Sequence, residues 1–459
     1  MDSQDTIAAI ATALGEASIA VIRISGEQSI ELVDRIFVGK NVLCTVETHT
    51  VHYGHLVSLD DHATLDEVLV TVMHAPRTYT TENVVEVSTH GGTQTVQRVL
   101  LEVLRAGARL AEPGEFTKRA FLGGRIDLSQ AEGVMELIGA HTAAAQHAAL
   151  RQIEGSLSSR VRELREQLIR LMAHVEVTID YPEHDEEDVT MGRVWDGCIG
   201  ILKDVEEILQ TADQGRILRD GVSVAIIGLP NVGKSSLLNQ LVRKERAIVT
   251  DIPGTTRDVL DEFIQLEGVP LHILDTAGIR DTGDVVERIG VDRSRQAIAD
   301  ADLLIILIDG SRLLTAEDRE LLGLTCDHAS LVVLSKQDLV QVVSQTEIEE
   351  EFPCSTCVQF SVKDRKLLGQ LEEAILTKVF SGKMKPRDAT FIANTRHIRL
   401  LEESKLLLEQ VLQSVNEGQT LDLVAVDLHQ AWITLGEVIG ETPREDLLDQ
   451  IFTQFCLGK

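Results

Sequence analysis

The sequence predicts three kinds of domain in one chain: an α+β domain first, an all-α helical domain, and an α/β domain inserted into the helical one. Three observations predict it. Strand-like segments recur through residues 1–120. Helical periodicity runs from Ser129 to about Val177, then returns over Thr395 to Val415 and Leu421 to Ile439. Between the helical stretches, from Gly221 to about Phe380, strands and helices alternate as in a parallel sheet. The expected boundaries are 1–120, 121–219, 220–381 and 382–459.

A chain of 459 residues suits about three domains. Apolar residues make up 44% but aromatic ones only 3%, so the cores should be aliphatic. The formal net charge is −30, which disfavours nonspecific attraction to nucleic acid. The start, Met1-Asp2-Ser3-Gln4-Asp5, lacks the basic and apolar regions of a secretion signal, and no apolar run could cross a bilayer. A cytoplasmic location with reduced thiols is the expectation. Cys354 and Cys357 form a lone C-x-x-C without the second pair that zinc would need.

In the first domain, strands are expected at Ile19–Ile24, Val51–Val57, Glu67–Val72 and Val84–Ser88, and helices at Ser29–Ile36 and Thr93–Arg105. Arg23 and Glu86 are charges within apolar strands; alternation would put both on a wet face. In the helical part, Ser129 and Glu132 fit a capping box. Ile179-Asp180-Tyr181-Pro182 breaks the helix, and a further helix is expected over Val194 to Thr211.

The insert carries the chemistry. Gly228-Leu229-Pro230-Asn231-Val232-Gly233-Lys234-Ser235 fits G-x-x-x-x-G-K-[ST], between apolar Val222–Ile227 and helical Ser236–Val242. Its backbone N–H groups and helix N-terminus suit phosphates; Lys234 reaches the outer ones and the Ser235 hydroxyl suits Mg²⁺. Downstream lie Thr250, Asp251, Ile252, Pro253, Gly254, Thr255 and Thr256, of which Thr256 is read as completing the Mg²⁺ shell. Strand Leu271–Leu274 then delivers Asp275, Thr276, Ala277 and Gly278. Strand Leu331–Leu334 delivers Ser335-Lys336-Gln337-Asp338, similar to the N-K-x-D that reads guanine: Asp338 can accept both N–H groups of the guanine edge, which adenine does not offer. Ser361, Val362 and Lys363 suit the last base-contacting loop. This order describes an α/β P-loop (Ras-like) G domain. Ile279 stands where a glutamine often orients water, so hydrolysis needs another group; Arg280 and Glu287 are nearby, and Glu287 can act through a bridging water.

With these motifs the chain resembles the tRNA-modification GTPase MnmE (TrmE) family over nearly its whole length. The resemblance also rests on Arg23-Ile24-Ser25-Gly26, His90-Gly91-Gly92, Pro113 to Phe121, Gly254 to Asp258, Val286 to Gly290 and the tail Phe455-Cys456-Leu457-Gly458-Lys459. It implies a homodimer formed through the N-terminal domain. It implies a tetrahydrofolate site there, contacted by Arg23, Glu86, Arg125 and Lys459. It implies a heterotetramer with the FAD protein MnmG, which would add an aminomethyl-type group at carbon five of the tRNA wobble uridine. GTP hydrolysis would open and close the two G domains. K⁺, held by Asn231, Thr250, Ile252 and Thr255, would stimulate it. Glu287 matches the water-orienting glutamate and Cys456 the tail cysteine. Nucleotide contacts would extend over Asn231 to Ser236, including Val232 and Gly233. Three places depart from the family pattern: Ser335 for asparagine, Ala13-Leu14-Gly15-Glu16 for a Pro-Gly-Arg-Gly-like loop, and Thr81 for glycine.

A second reading is a regulatory or ribosome-assembly GTPase switch without modification activity. It leaves Cys456 and the N-terminal domain without a task. For tRNA, the candidate basic patches are Arg105, Arg109, Lys118 and Arg119, and a helix bearing Arg160, Arg162, Arg165 and Arg170, the latter read as salt-bridged.

Overall fold

The computed structural model describes residues 5–140, 142–181, 187–244, 262–274, 298–326, 328–380, 392–441, 445–453, 455 and 458. Two compact units emerge: residues 1–135, 152–197 and 410–459 form one, and residues 136–151 and 198–409 the other.

The first unit opens with β1 (Ile7–Ile10), β2 (Ala17–Ser25), α1 (Ser29–Asp34), β3 (Phe37–Gly39), β4 (Thr50–Val57), β5 (Thr64–Met73), β6 (Val84–Gly91), α2 (Thr93–Arg105), β7 (Arg109–Leu110) and α3 (Glu115–Leu122). The sheet order is β3-β4-β5-β6-β2-β1-β7, antiparallel except for the β1–β7 pair. Alternation along β2 and β6 sends Ile22, Ile24, Val85 and Val87 into a core with Val96, Val99 and Val103 of α2. Each such buried side chain contributes roughly 1.5–3 kcal/mol. The intervening Arg23 and Glu86 face the other way. The Ala-rich β1 and the short β3 and β7 escape prediction because four, three and two residues show no period.

Helices follow: α4 (Leu128–Gly139), α5 (Ala143–Ile153), α6 (Ser156–Asp180), α7 (Glu187–Leu209) and α8 (Ala212–Asp220). Two expectations need correction. The capping box of α4 is Asp127 with Gln130, not Ser129 with Glu132. The Asp127 carboxylate accepts from Gln130 N at 3.0 Å and Gln130 Oε1 from Asp127 N at 2.9 Å. Ser129 lies inside the helix and is buried. The helix expected from Val194 begins at Glu187, because the acidic run favours a helix N-terminus and so continues the turn backwards.

The insert comprises β8 (Val222–Ile227), α9 (Lys234–Lys244), β9 (Glu262–Leu266), β10 (Val269–Leu274), β11 (Leu303–Asp309), α10 (Ala316–Gly323), β12 (Ser330–Ser335), α11 (Gln345–Glu351), β13 (Cys357–Gln359) and α12 (Arg365–Val379). The sheet order is β13-β12-β11-β8-β10-β9, parallel but for β9. The near-continuous apolar runs of β8, β11 and β12 are what a strand covered on both faces requires. Because β8 has β10 on one side and β11 on the other, its carboxyl end is a switch point, the usual place for a ligand crevice.

The chain closes with α13 (Thr395–Asn416), α14 (Leu421–Ile439) and α15 (Glu445–Phe452). Within the first unit α14 packs along α6, joining helices from before and after the insert. Phe452 and Phe455 pack against Leu128, Ala131 and Phe121, which ties the chain's end to α3 and α4.

Candidate functional site

The first candidate site lies at the carboxyl end of the β8 sheet. The glycine loop leaves β8 at Gly228, where a Cβ would stand 2.6 Å from the Leu307 carbonyl oxygen, and turns at Gly233 with φ of 108°. Asn231 between them holds φ at 62°. Lys234, the first residue of α9, donates from Nζ to the carbonyls of Gly228 at 2.7 Å and Leu229 at 3.0 Å. Burial pushes its pKa below the ordinary lysine value. A cationic group is thus held over a loop shaped by glycines, with Ser235 and Ser236 opening the helix N-terminus. These residues fit a phosphate chain, and Ser235 a Mg²⁺ ion beside it.

Ser335 ends β12 with its side chain buried. Its hydroxyl lies 2.7 Å from the Val232 carbonyl oxygen and 3.1 Å from that of Ile308, as donor to one or the other. Lys336 takes φ of 57° and its Nζ bonds Asp309 Oδ2 at 2.7 Å. Burial alone would raise the Asp309 pKa, but Lys336 and Ser311 outweigh it and hold the carboxyl below its usual range. Asp338 accepts from Ser361 Oγ at 3.1 Å and pairs with Lys363 Nζ at 2.7 Å; Lys363 above all lowers its pKa. Gln240 of α9 donates to the Val362 carbonyl at 3.4 Å. Three loops, after β8, β12 and β13, are therefore stitched together.

The second candidate site lies in the first unit. Arg23 and Glu86 are cross-strand partners, bonded from Nε at 2.9 Å and Nη2 at 2.8 Å. Side-chain exposures of 19% and 29% make this a half-buried pair rather than the solvated one that alternation suggests. Arg23 Nη1 also donates to the Gly458 carbonyl at 3.5 Å. Gly458 abuts the Ile10 carbonyl so closely that a Cβ would not fit, so only glycine lets the tail approach. The Arg23 guanidinium lies 5.6 Å from the Tyr79 ring centre and 5.8 Å from that of Phe116; that of Arg125 lies 5.1 Å from Tyr79. Arg125 donates to the Thr78 carbonyl at 2.9 Å.

The loop bearing Tyr79 is fastened by charge. Glu82 pairs with Arg119 at 3.1 Å, and Arg119 in turn with Asp5 at 2.6 Å and Glu115 at 3.0 Å. Arg109 completes the network, 2.7 Å from Glu115 and 2.8 Å from Asp5. Thr81 takes φ of 66°, the left-handed region that favours glycine.

The structure thus brings together Arg23, Glu86 and Arg125 in one unit, and Val232, Lys234, Ser335, Lys336, Asp338, Ser361, Val362 and Lys363 in the other. Thr250, Asp251, Ile252, Pro253, Gly254, Thr255, Thr256, Asp275, Thr276, Ala277, Gly278, Arg280, Glu287, Cys456 and Lys459 lie outside the described residues. Sequence reasoning gave no role to Asp309, Gln240, Tyr79 or Gly458, although Gly458 stands in the tail motif. Asp309 had a signal, an acid closing the apolar run Leu303–Ile308 before Gly310. Tyr79 had none.

The first set of candidate tRNA-binding cations is ion-paired. Arg105 pairs with Asp60, Arg109 and Arg119 with the network above, and Lys118 with Asp449 at 2.5 Å. Arg162 pairs with Asp127 and Arg170 with Glu166. Cys357 sits in the core with its thiol pushed up to about 12 by burial. Among the described residues no group of three or more His, Cys, Asp or Glu could hold a metal ion.

The parallel sheet, the glycine loop after β8 and the Ser335–Asp338 loop define a P-loop G domain, carried with an α+β domain and helices in one multidomain chain. Residues 6–125 match the model of the GTP-binding protein TrmE N-terminus, and residues 128–456 that of the MnmE helical domain. The chain belongs to the tRNA modification GTPase MnmE family. It is 48% identical over 457 residues to the tRNA modification GTPase MnmE of Enterococcus faecalis, covering 99% of this chain and 98% of that one. With those of Bacillus mycoides and Listeria welshimeri it shares 48% and 50% over 456 residues, 99% of each chain.

Proposed function

We propose that this chain hydrolyses GTP and, with an FAD-dependent partner of the MnmG kind, modifies carbon five of the tRNA wobble uridine by an aminomethyl-type addition. The observation that carries the reading is similarity over 99% of the chain to proteins named for tRNA modification, in a chain with a built P-loop site. In this reading Asn231 to Ser236 grip the phosphates. Asp338 takes the guanine N–H groups, with Ser335, Lys336 and Ser361 to Lys363 shaping that end. Ser235 and Thr256 hold Mg²⁺, and Asp275 to Gly278 sense the terminal phosphate. Asn231 and the Thr250 to Thr255 segment hold K⁺, which places charge beside the phosphates as an arginine finger would. Glu287 orients water, with Arg280 beside it.

Arg23, Glu86, Arg125 and Lys459 hold a tetrahydrofolate derivative in the N-terminal domain. Such a folate supplies the one-carbon unit when bound. The half-buried Arg23–Glu86 pair supports this, since a guanidinium and a carboxylate suit the amide-like edge of a pterin. Gly458 beside Arg23 supports a role for the tail, and so for Cys456, at the same place. The four-segment domain scheme, a homodimer through the N-terminal domain, a heterotetramer with the partner and a cytoplasmic location belong to the same proposal. Among the described residues no helix is long and apolar enough to cross a membrane.

The test is mass spectrometry of tRNA nucleosides from a deletion strain, with and without the gene restored. Loss and recovery of the wobble modification is expected; unchanged wobble uridines reject the reading.

A further inference from the structure

The second site contains a residue to which sequence reasoning gave no role. Tyr79 lies within 6 Å of two guanidinium groups, 5.6 Å from that of Arg23 and 5.1 Å from that of Arg125. Like charges do not gather unaided. The negative face of an aromatic ring is one of the few uncharged groups that attracts a cation. The ring is itself fixed: its hydroxyl bonds Thr117 Oγ1 at 2.9 Å, and Thr117 is fully buried in α3. The backbone on its N-terminal side is fixed too, since the Thr78 carbonyl accepts from Arg125 and the Thr78 hydroxyl donates to the Glu82 carbonyl at 2.6 Å.

The charges do not cancel. Glu86 neutralises Arg23, but among the described residues no carboxylate pairs with Arg125. An exposed cation beside an aromatic ring, in a chain of net charge −30, suits an anionic, flat ligand.

We infer that Tyr79 is the positioning residue of this site: its ring sets the places of Arg23 and Arg125, so that Arg23 with Glu86 meets a heteroaromatic ring while Arg125 meets the ligand's anionic group. This rests on the folate reading above and adds to it the element that organises the two arginines. Tyr79 acts through them.

Titration of the full-length protein with 5-formyltetrahydrofolate tests it, using wild type, Tyr79→Phe, Tyr79→Leu, Arg125→Gln and the Tyr79→Leu/Arg125→Gln double variant. Far-UV circular dichroism and the urea midpoint of the N-terminal unit in the same samples report that each variant is folded there. Tyr79→Phe keeps the ring and is expected to stay within about threefold of wild type. Tyr79→Leu is expected to bind about tenfold more weakly. Arg125→Gln should cost much less in the Tyr79→Leu background than alone, since its place is already lost. Tyr79→Leu binding as wild type does, or the two losses multiplying independently, overturns the inference while the folate reading stands. A wild-type protein that takes up no folate sinks that reading, and the inference with it.

Discussion

The Ser335 hydroxyl lies 2.7 Å from the Val232 carbonyl, so the loop expected to read the base holds the loop expected to grip the phosphates. Both residues are buried. Ser335→Ala would remove the one donor that the Val232 and Ile308 carbonyls share, at a cost of about 1–3 kcal/mol. GDP and GTP affinities should therefore fall together, by roughly five- to tenfold, with preference for guanine over adenine kept. Fluorescent nucleotide titration checks this. A loss of base preference with phosphate binding intact would show that Ser335 reads the base instead.

Thr81 carries a side chain where the backbone is left-handed. That costs roughly 1–2 kcal/mol for a residue with a Cβ, against about 0.5–1 kcal/mol of extra chain entropy for glycine. Thr81→Gly should raise stability slightly, by about 0.5–1 kcal/mol, even though it removes the Thr81 hydroxyl's bond to the Thr80 carbonyl. The urea midpoint of the N-terminal unit measures it, and a lower midpoint would contradict it.

Glu115 makes the N-terminal unit acid-sensitive. Burial alone would raise its pKa, but Arg109, the Glu112 N–H and Arg119 bring it below the ordinary 4.5. A depressed carboxyl contributes stability above its unfolded pKa and loses it as pH falls through the folded one. Glu115→Gln should therefore be less stable than wild type at pH 7, by about 1–3 kcal/mol. The gap should close below about pH 4. Denaturation midpoints across that range decide it; a gap independent of pH would refute the carboxylate's role.

Arg165 joins α6 to α14. Its guanidinium pairs with Glu441, donates to the Trp432 carbonyl at 3.2 Å and stacks 4.2 Å from the Trp432 ring centre. Glu441 is about half exposed, so solvent weakens its share. Arg165→Ala should cost about 2 kcal/mol and shift Trp432 emission, while Glu441→Gln should cost under about 1 kcal/mol. Equal losses would mean that the ion pair, not the stack, holds the helices.

Much of this protein was legible because its signals are local. The β8 strand, the glycine loop and the start of α9 are contiguous, so their chemistry sits within a dozen or so neighbours in the chain. Helix α2 and helix α14 show uninterrupted 3.6-residue periodicity between clear stops, and their bounds followed. The start of α7 and the capping box of α4 did not. Both depend on which of several acidic or hydroxylated residues first meets a free N–H, a choice that small local energies make.

By itself the sequence determined the elements that short-range patterns write: the apolar strands of the G domain, its phosphate loop and the order of its base-reading motifs. Only the tertiary structure decided that Ser335 binds Val232, that Tyr79 stands beside two arginines, and that Gly458 comes to rest against Arg23 from the far end of the chain. Such contacts join residues separated by tens to hundreds of positions. Their free energy comes from burial and pairing that exist only once the sheets and helices have packed, so no window of sequence contains them.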